Sequence, residues 1–115
     1  MQPKAEITWA EFAKVDMRVG CVQRAEAFPE ARKPAIKLWL DFGPEVGIRK
    51  TSAQVTDHYQ PQDLIGRHLV AVVNFPSKQI GHFMSECLIL GAVDDEGAVM
   101  LVSPHQDVSP GQPIA

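Results

Sequence analysis

The run IKLWLDF, residues 36 to 42, alternates without a slip. Ile36, Leu38, Leu40 and Phe42 fall on one face, and Lys37, Trp39 and Asp41 on the other. Side chains of a β-strand alternate between faces, so this stretch reads as a strand with one side on a core. The five residues Gly43-Pro44-Glu45-Val46-Gly47 then make a connection, and Gly47-Ile48-Arg49-Lys50-Thr51 resumes a strand, which predicts a hairpin.

Working outward, Val15 to Cys21 alternates in the same way and reads as an earlier strand. His68 to Val73, Cys87 to Leu90 and Ala98 to Val102 are further strands, the last two joined through the acidic turn Asp94-Asp95-Glu96-Gly97. Before them all, Thr8 and Glu11 have the spacing of a capping box, with Ile7 and Phe12 at the positions of a hydrophobic staple. A short N-terminal helix is expected there. A second small helix is expected between Ser52 and Tyr59, ended before Pro61. About six short strands with so little helix predict a mainly β fold, a small barrel that leaves few edges unpaired. A five- to six-stranded oligonucleotide-binding (OB) barrel fits, and periodicity leaves an SH3-like barrel open.

The chain has 115 residues, 45% hydrophobic and 22% charged, which predicts one globular domain over 1–115. No apolar run approaches the ~18 residues of a membrane span, and the start MQPKAEITWAEF has no apolar signal core. A cytoplasmic protein without membrane insertion is expected. Cys21 and Cys87 lie far apart, each in an apolar stretch, and read as free thiols.

Catalytic patterns are missing from the sequence. The histidines His58, His68, His82 and His105 have no metal-ligand spacing, and no nucleophile elbow or phosphate-binding glycine loop occurs. No cofactor, no metal and no enzymatic activity are expected.

Binding is better signalled. The net charge of −3 does not advertise nucleic acid, yet basic residues gather in the first half, and neither Lys nor Arg follows Lys78. Trp39 points away from the core face, where an aromatic ring can serve as a platform. Arg49 and Lys50 on the next strand, with Arg32 and Lys33 before Trp39, can form a basic rim around it. The stretch NFPSKQIGHFMSE, residues 74 to 86, sits where a loop belongs. It nevertheless carries Phe75, Ile80, Phe83 and Met84. Some of these can cover a barrel end, and the remainder form an adaptable apolar patch.

Several separated motifs then resemble one family. Phe28-Pro29-Glu30-Ala31-Arg32, Pro34-Ala35-Ile36-Lys37-Leu38, Asp41-Phe42-Gly43, Thr51-Ser52-Ala53-Gln54, Asn74-Phe75-Pro76 and Ser85-Glu86 resemble the CsaA proteins, described as export-related chaperones. The likeness runs from Phe12 to about Pro110. That family is similar in turn to the tRNA-binding OB domains, free or appended to methionyl-tRNA synthetases, whose opening strand Asp16-Met17-Arg18-Val19-Gly20 resembles. The resemblance implies an OB barrel and a homodimer. The Trp9–Phe12 helix and the Val99–Ile114 strand and tail are candidates for its interface. The relatives' loop is richly basic, whereas this one reads Ser77-Lys78-Gln79.

Together these readings predict a non-enzymatic, ATP-independent chaperone that binds unfolded or preprotein polypeptide. Trp39, Phe75, Phe83 and Met84 would hold apolar side chains, Asn74 and Ser85 would meet the peptide backbone, and Arg49 and Lys50 would steer charge. The alternative is a structure-specific tRNA-binding module, with Arg32, Lys33, Arg49, Lys50 and Lys78 on phosphates.

Overall fold

The first strand runs well past its expected end. In the computed structural model, which describes residues 2–115, β1 spans Met17–Ala27. It follows α1 (Trp9–Ala13) and precedes β2 (Ile36–Asp41). One turn of helix, α2 (Gly43–Val46), leads from β2 to β3 (Ile48–Ala53), and another, α3 (Pro61–Leu64), leads to β4 (His68–Val72). The rest of the chain forms β5 (Lys78–Ile80), β6 (Phe83–Ser85), β7 (Leu88–Ile89), β8 (Gly91–Val93) and β9 (Val99–Leu101).

The length of β1 lets it serve two neighbours. Met17–Cys21 pairs antiparallel with β4, and Cys21–Ala27 pairs with β2. A register shift between Val22 and Arg24 marks a bulge, which bends a strand and increases its twist. The bend is tied down where Val22 donates to the Arg67 carbonyl at 2.9 Å and accepts from the Gly66 amide at 2.8 Å. Gly20 lies just before it. A Cβ there would stand 2.6 Å from Cε1 of Phe42, so a side chain at this position would displace the core ring.

The sheet order is β3-β2-β1-β4-β7, and residues 85–87 join its two edges. The Glu86 amide donates to the Lys50 carbonyl at 2.8 Å, and the Lys50 amide donates to Glu86 Oε1 at 3.1 Å. The result is a nearly closed, five-stranded OB-type barrel. Ile36, Leu38, Leu40 and Phe42 all face its interior, as their alternation predicts, beside Val22, Leu64, Leu69 and Ala71.

Two local expectations are corrected. No helix forms over Ser52 to Tyr59, because Ser52 and Ala53 continue β3 against Lys37 and Ile36. The helix lies beyond Pro61, which takes its first turn, where a missing amide hydrogen costs nothing. The connection after Phe42 is itself helical, with Gly43 at φ 83°.

The N-terminal capping box forms as expected: Glu11 N donates to Thr8 Oγ1 at 3.1 Å and Thr8 N to Glu11 Oε1 at 2.9 Å. At the acidic turn, Asp94 Oδ1 accepts from the amides of Glu96 and Ala98, closing the β8–β9 hairpin. The C-terminal tail is laced to β1. Gly111 donates to the Val19 carbonyl at 2.7 Å, Val19 to that of Gln112 at 3.0 Å, and Ile114 to that of Met17 at 2.9 Å. Among the described residues no helix is long and apolar enough to cross a membrane.

Candidate functional site

Residues 74 to 86 are a built hairpin rather than a loose loop. β5 and β6 pair antiparallel, and the chain turns through Gly81 at φ 62°, a conformation that favours glycine. Both ends are fixed by side chains. The Asn74 amide group accepts from the Asp16 N–H at 3.0 Å and donates to the Lys14 carbonyl at 2.6 Å, holding the chain between α1 and β1. At the far end, the Cys87 carbonyl accepts from the buried Thr51 hydroxyl at 2.7 Å and from the Ser85 hydroxyl at 3.3 Å, and the two hydroxyls lie 2.9 Å apart. Asn74 and Ser85 were expected to meet a peptide backbone. Each also has a partner in the protein's own chain, so a peptide backbone would have to share these groups with the fold.

Beneath the hairpin lies a second, smaller apolar cluster on the outer face of the barrel, built around Phe28, Ala35 and Phe83. Phe83 meets Phe28 at a centroid distance of 5.5 Å and Trp39 edge-on at 5.9 Å. Phe83, expected as a direct contact, is only 8% exposed and offers a ligand little surface. Trp39 points outward as its alternation requires, but the hairpin half covers it, and Arg24 lies over its ring at 4.3 Å. Lys37 and Lys50 lie over the rings of Phe28 and Phe83, at 4.7 and 5.2 Å. The stems of these cations seal the cluster while their charges stay at the surface.

The hairpin separates two depressions. On one side is a cleft of about 230 Å³ lined by Phe75, Pro76, Lys78, Ser85, Cys87 and Leu88. Phe75 is 55% exposed and Leu88 is 50% exposed, so the cleft has apolar walls open to solvent. Burial pushes the Cys87 thiol up to about 12, against a weaker opposing pull from Arg49, so this wall is uncharged at neutral pH. Met84 is partly exposed but lies across from Gln79 on the hairpin's other face, outside this cleft. Leu88, in a stretch that reads as strand core, is a further residue lining this cleft. Every residue from Cys87 to Leu90 is apolar, so alternation gives no sign of which one faces out.

On the other side is a wider groove of about 850 Å³, bordered by Arg32, Lys33 and Lys78 with Ser52 and Gln54 between them. The five expected basic residues therefore divide. Arg32, Lys33 and Lys78 converge. Arg49 instead donates to the Val73 carbonyl at 2.6 Å, and Lys50 lies over Phe83. None of the five forms an ion pair among the described residues. No group of three or more His, Cys, Asp or Glu among those residues is arranged to hold a metal.

A third apolar surface lies at the N-terminus. α1 buries none of its residues. Trp9 is 90% exposed and, with Ile7 and Phe12, lines a concavity of about 350 Å³.

Comparison with known proteins places this architecture. Residues 17–113 match the family described as putative tRNA binding domain. A crystal structure of chaperone CsaA from Bacillus anthracis superposes with a TM-score of 0.91 at 47% identity, over 96% of this chain and 100% of that one. The CsaA chaperone protein from Picrophilus torridus gives a TM-score of 0.89 at 45% identity, with the same coverage of both chains. Methionine–tRNA ligase from Methanocaldococcus jannaschii is 35% identical over 109 residues, 95% of this chain but 16% of that enzyme's length. With a nearly closed OB barrel, a family match across most of its length and end-to-end likeness to two CsaA structures, the chain belongs to the CsaA proteins of the tRNA-binding-domain family.

Proposed function

We propose that this protein is a non-enzymatic, ATP-independent chaperone that binds exposed segments of preproteins during export, as a homodimer in the cytoplasm. The observation that carries the reading is the open apolar cleft between Phe75 and Leu88. Two large aliphatic or aromatic side chains held half in solvent beside an uncharged floor fit an apolar side chain of an unfolded partner. Lys78 at the rim adds a charge that a neutral core position would not need. The Bacillus anthracis and Picrophilus torridus relatives are described as chaperones, which supports the same reading.

A second reading, a tRNA-binding module, is favoured by the family match and by the convergence of Arg32, Lys33 and Lys78 beside a single acid, Glu30, with which none of them pairs. Salt separates the two. Phosphate binding releases counterions and weakens steeply with ionic strength, whereas capture of an apolar side chain does not.

The test is fluorescence anisotropy of labelled bulk tRNA and of a labelled apolar peptide, each at low and physiological salt. The chaperone reading expects peptide binding that resists salt and is lost in Phe75→Ser/Leu88→Ser. Salt-sensitive tRNA binding that survives this double change, with no peptide capture, would overturn it in favour of the second reading.

A further inference from the structure

We propose that the outer edge of β5 accepts one more strand, an extended acidic segment of polypeptide lying in the groove between β5 and residues 30–33. This rests on the reading of the hairpin as a polypeptide-binding surface and specifies the chemistry of the segment it takes.

The register carries the first part. β5 and β6 pair as Lys78↔Ser85, Gln79↔Met84 and Ile80↔Phe83, leaving only Gly81 and His82 in the turn. A two-residue hairpin closes on a hydrogen-bonded pair, and bonded and non-bonded pairs alternate from there. Gln79 therefore occupies the non-bonded position, and its N–H and C=O point away from β6. Neither group has a backbone partner elsewhere among the described residues. Every residue of β5 lines the wide groove, whereas none of β6 does, so the groove is what this edge faces. An unpaired strand edge facing open space is a template for strand addition.

Charge and the absence of stacking surface carry the second part. Arg32 and Lys33 on one wall and Lys78 on the other have no ionic partner among the described residues. The acid on that wall, Glu30, lies 3.9 Å from Lys37 instead. Three uncompensated cations favour a segment bearing carboxylates. The groove lining contains no aromatic residue, and Trp39 and Phe83 are packed against each other under the hairpin. Single-stranded nucleic acid is normally held on aromatic stacking platforms. A polypeptide strand needs none and supplies the alternating donors and acceptors that Gln79 can pair.

The full-length protein would be titrated with a short fluorescein-labelled peptide of alternating Glu and Val. Three comparisons decide the matter: the same peptide N-methylated at alternate amides, its Lys-for-Glu counterpart, and a labelled oligouridylate. N-methylation is expected to weaken binding about tenfold, the scale of losing one buried hydrogen bond or slightly more. Gln79→Pro should do the same, because it removes the outward N–H while sparing the β5–β6 ladder. Arg32→Gln/Lys33→Gln should also weaken the acidic peptide, and the Lys peptide should fail to compete. Equal affinity of the N-methylated peptide for the unmodified protein would overturn strand addition, with no variant needing to fold. Binding of oligouridylate that depends on Arg32 and Lys33, without binding of the acidic peptide, would make the groove an RNA site instead. A neutral apolar peptide measured in parallel, with its dependence on Phe75 and Leu88, shows whether a failure reaches the chaperone reading or only this inference.

Discussion

Trp39 meets Phe83 edge-on, with ring centroids 5.9 Å apart and planes inclined at 86°, and this contact seats the β5–β6 hairpin on the barrel. Phe83 also touches Phe28, and both rings are capped by Lys37. Phe83→Ala removes the central ring of that cluster, and loss of a buried Phe costs about 3 kcal/mol or more. Urea denaturation should show a loss near that lower figure. In a Trp9→Phe background, the emission of Trp39 should move to longer wavelength as its ring becomes wet. Unchanged emission would mean that other contacts hold the hairpin in place.

Asn74 separates a structural from a ligand-binding role. Its amide holds Asp16 and Lys14 from opposite ends, at 3.0 and 2.6 Å. Asn74→Ala should lower stability by about 1 to 2 kcal/mol, the scale of two partly exposed hydrogen bonds. Affinity for an apolar peptide should stay within about twofold, well under the 1.4 kcal/mol that a tenfold change represents. A large loss of affinity at unchanged stability would make Asn74 a ligand contact.

The two thiols should differ in reactivity. Burial raises Cys87 to about 12, while Cys21, only half-buried, is raised by burial and by the nearby carboxylates of Asp41 and Asp107. The thiolate is the nucleophile, so iodoacetamide at pH 8 should modify Cys21 first and Cys87 only on unfolding, as mass spectrometry of the labelled peptides would show. The sign of the pH effect follows. An unfolded thiol releases its proton near 9.0, and the folded Cys87 does so only near 12. The unfolded chain therefore binds fewer protons between those values. The contribution of Cys87 to stability is fully present below pH 9 and is lost as pH rises toward 12. Cys87→Ala should flatten that decline.

How much of this was legible in the sequence depends on the range of the interaction. The alternation from Ile36 to Phe42 is a local signal, and it located both the core face and the outward Trp39. The Thr8–Glu11 capping box and the Asp94 turn were equally local, and both form. The helix expected before Pro61 failed because pairing with β2 extends β3 to Ala53, a tertiary effect that propensity does not contain. The roles of Asn74 and Ser85 were also beyond local reading. Asn74 reaches back to Lys14 and Asp16, and Ser85 to Thr51, across long stretches of chain. Residue type alone showed that these groups bond readily, but not that their partners lie within the fold.

The N-terminal helix offers the last test. Its capping box gives α1 a defined start, yet none of its residues is buried and Trp9 is 90% exposed. A helix this short is not stable alone in water, and an exposed Trp beside Ile7 and Phe12 has no reason within one chain to be apolar. The proposed dimer supplies a reason, if these residues are covered by a second copy. Trp9→Ser/Phe12→Ser should then shift sedimentation equilibrium from dimer to monomer. Because α1 contributes nothing to the barrel core, the far-ultraviolet spectrum of the barrel should persist. The apparent Tm should lose its dependence on protein concentration, since dissociation no longer accompanies unfolding. A double variant that remains a dimer would move the interface away from α1, toward the exposed side chains of Met100, Val102 and Val108 near the C-terminus.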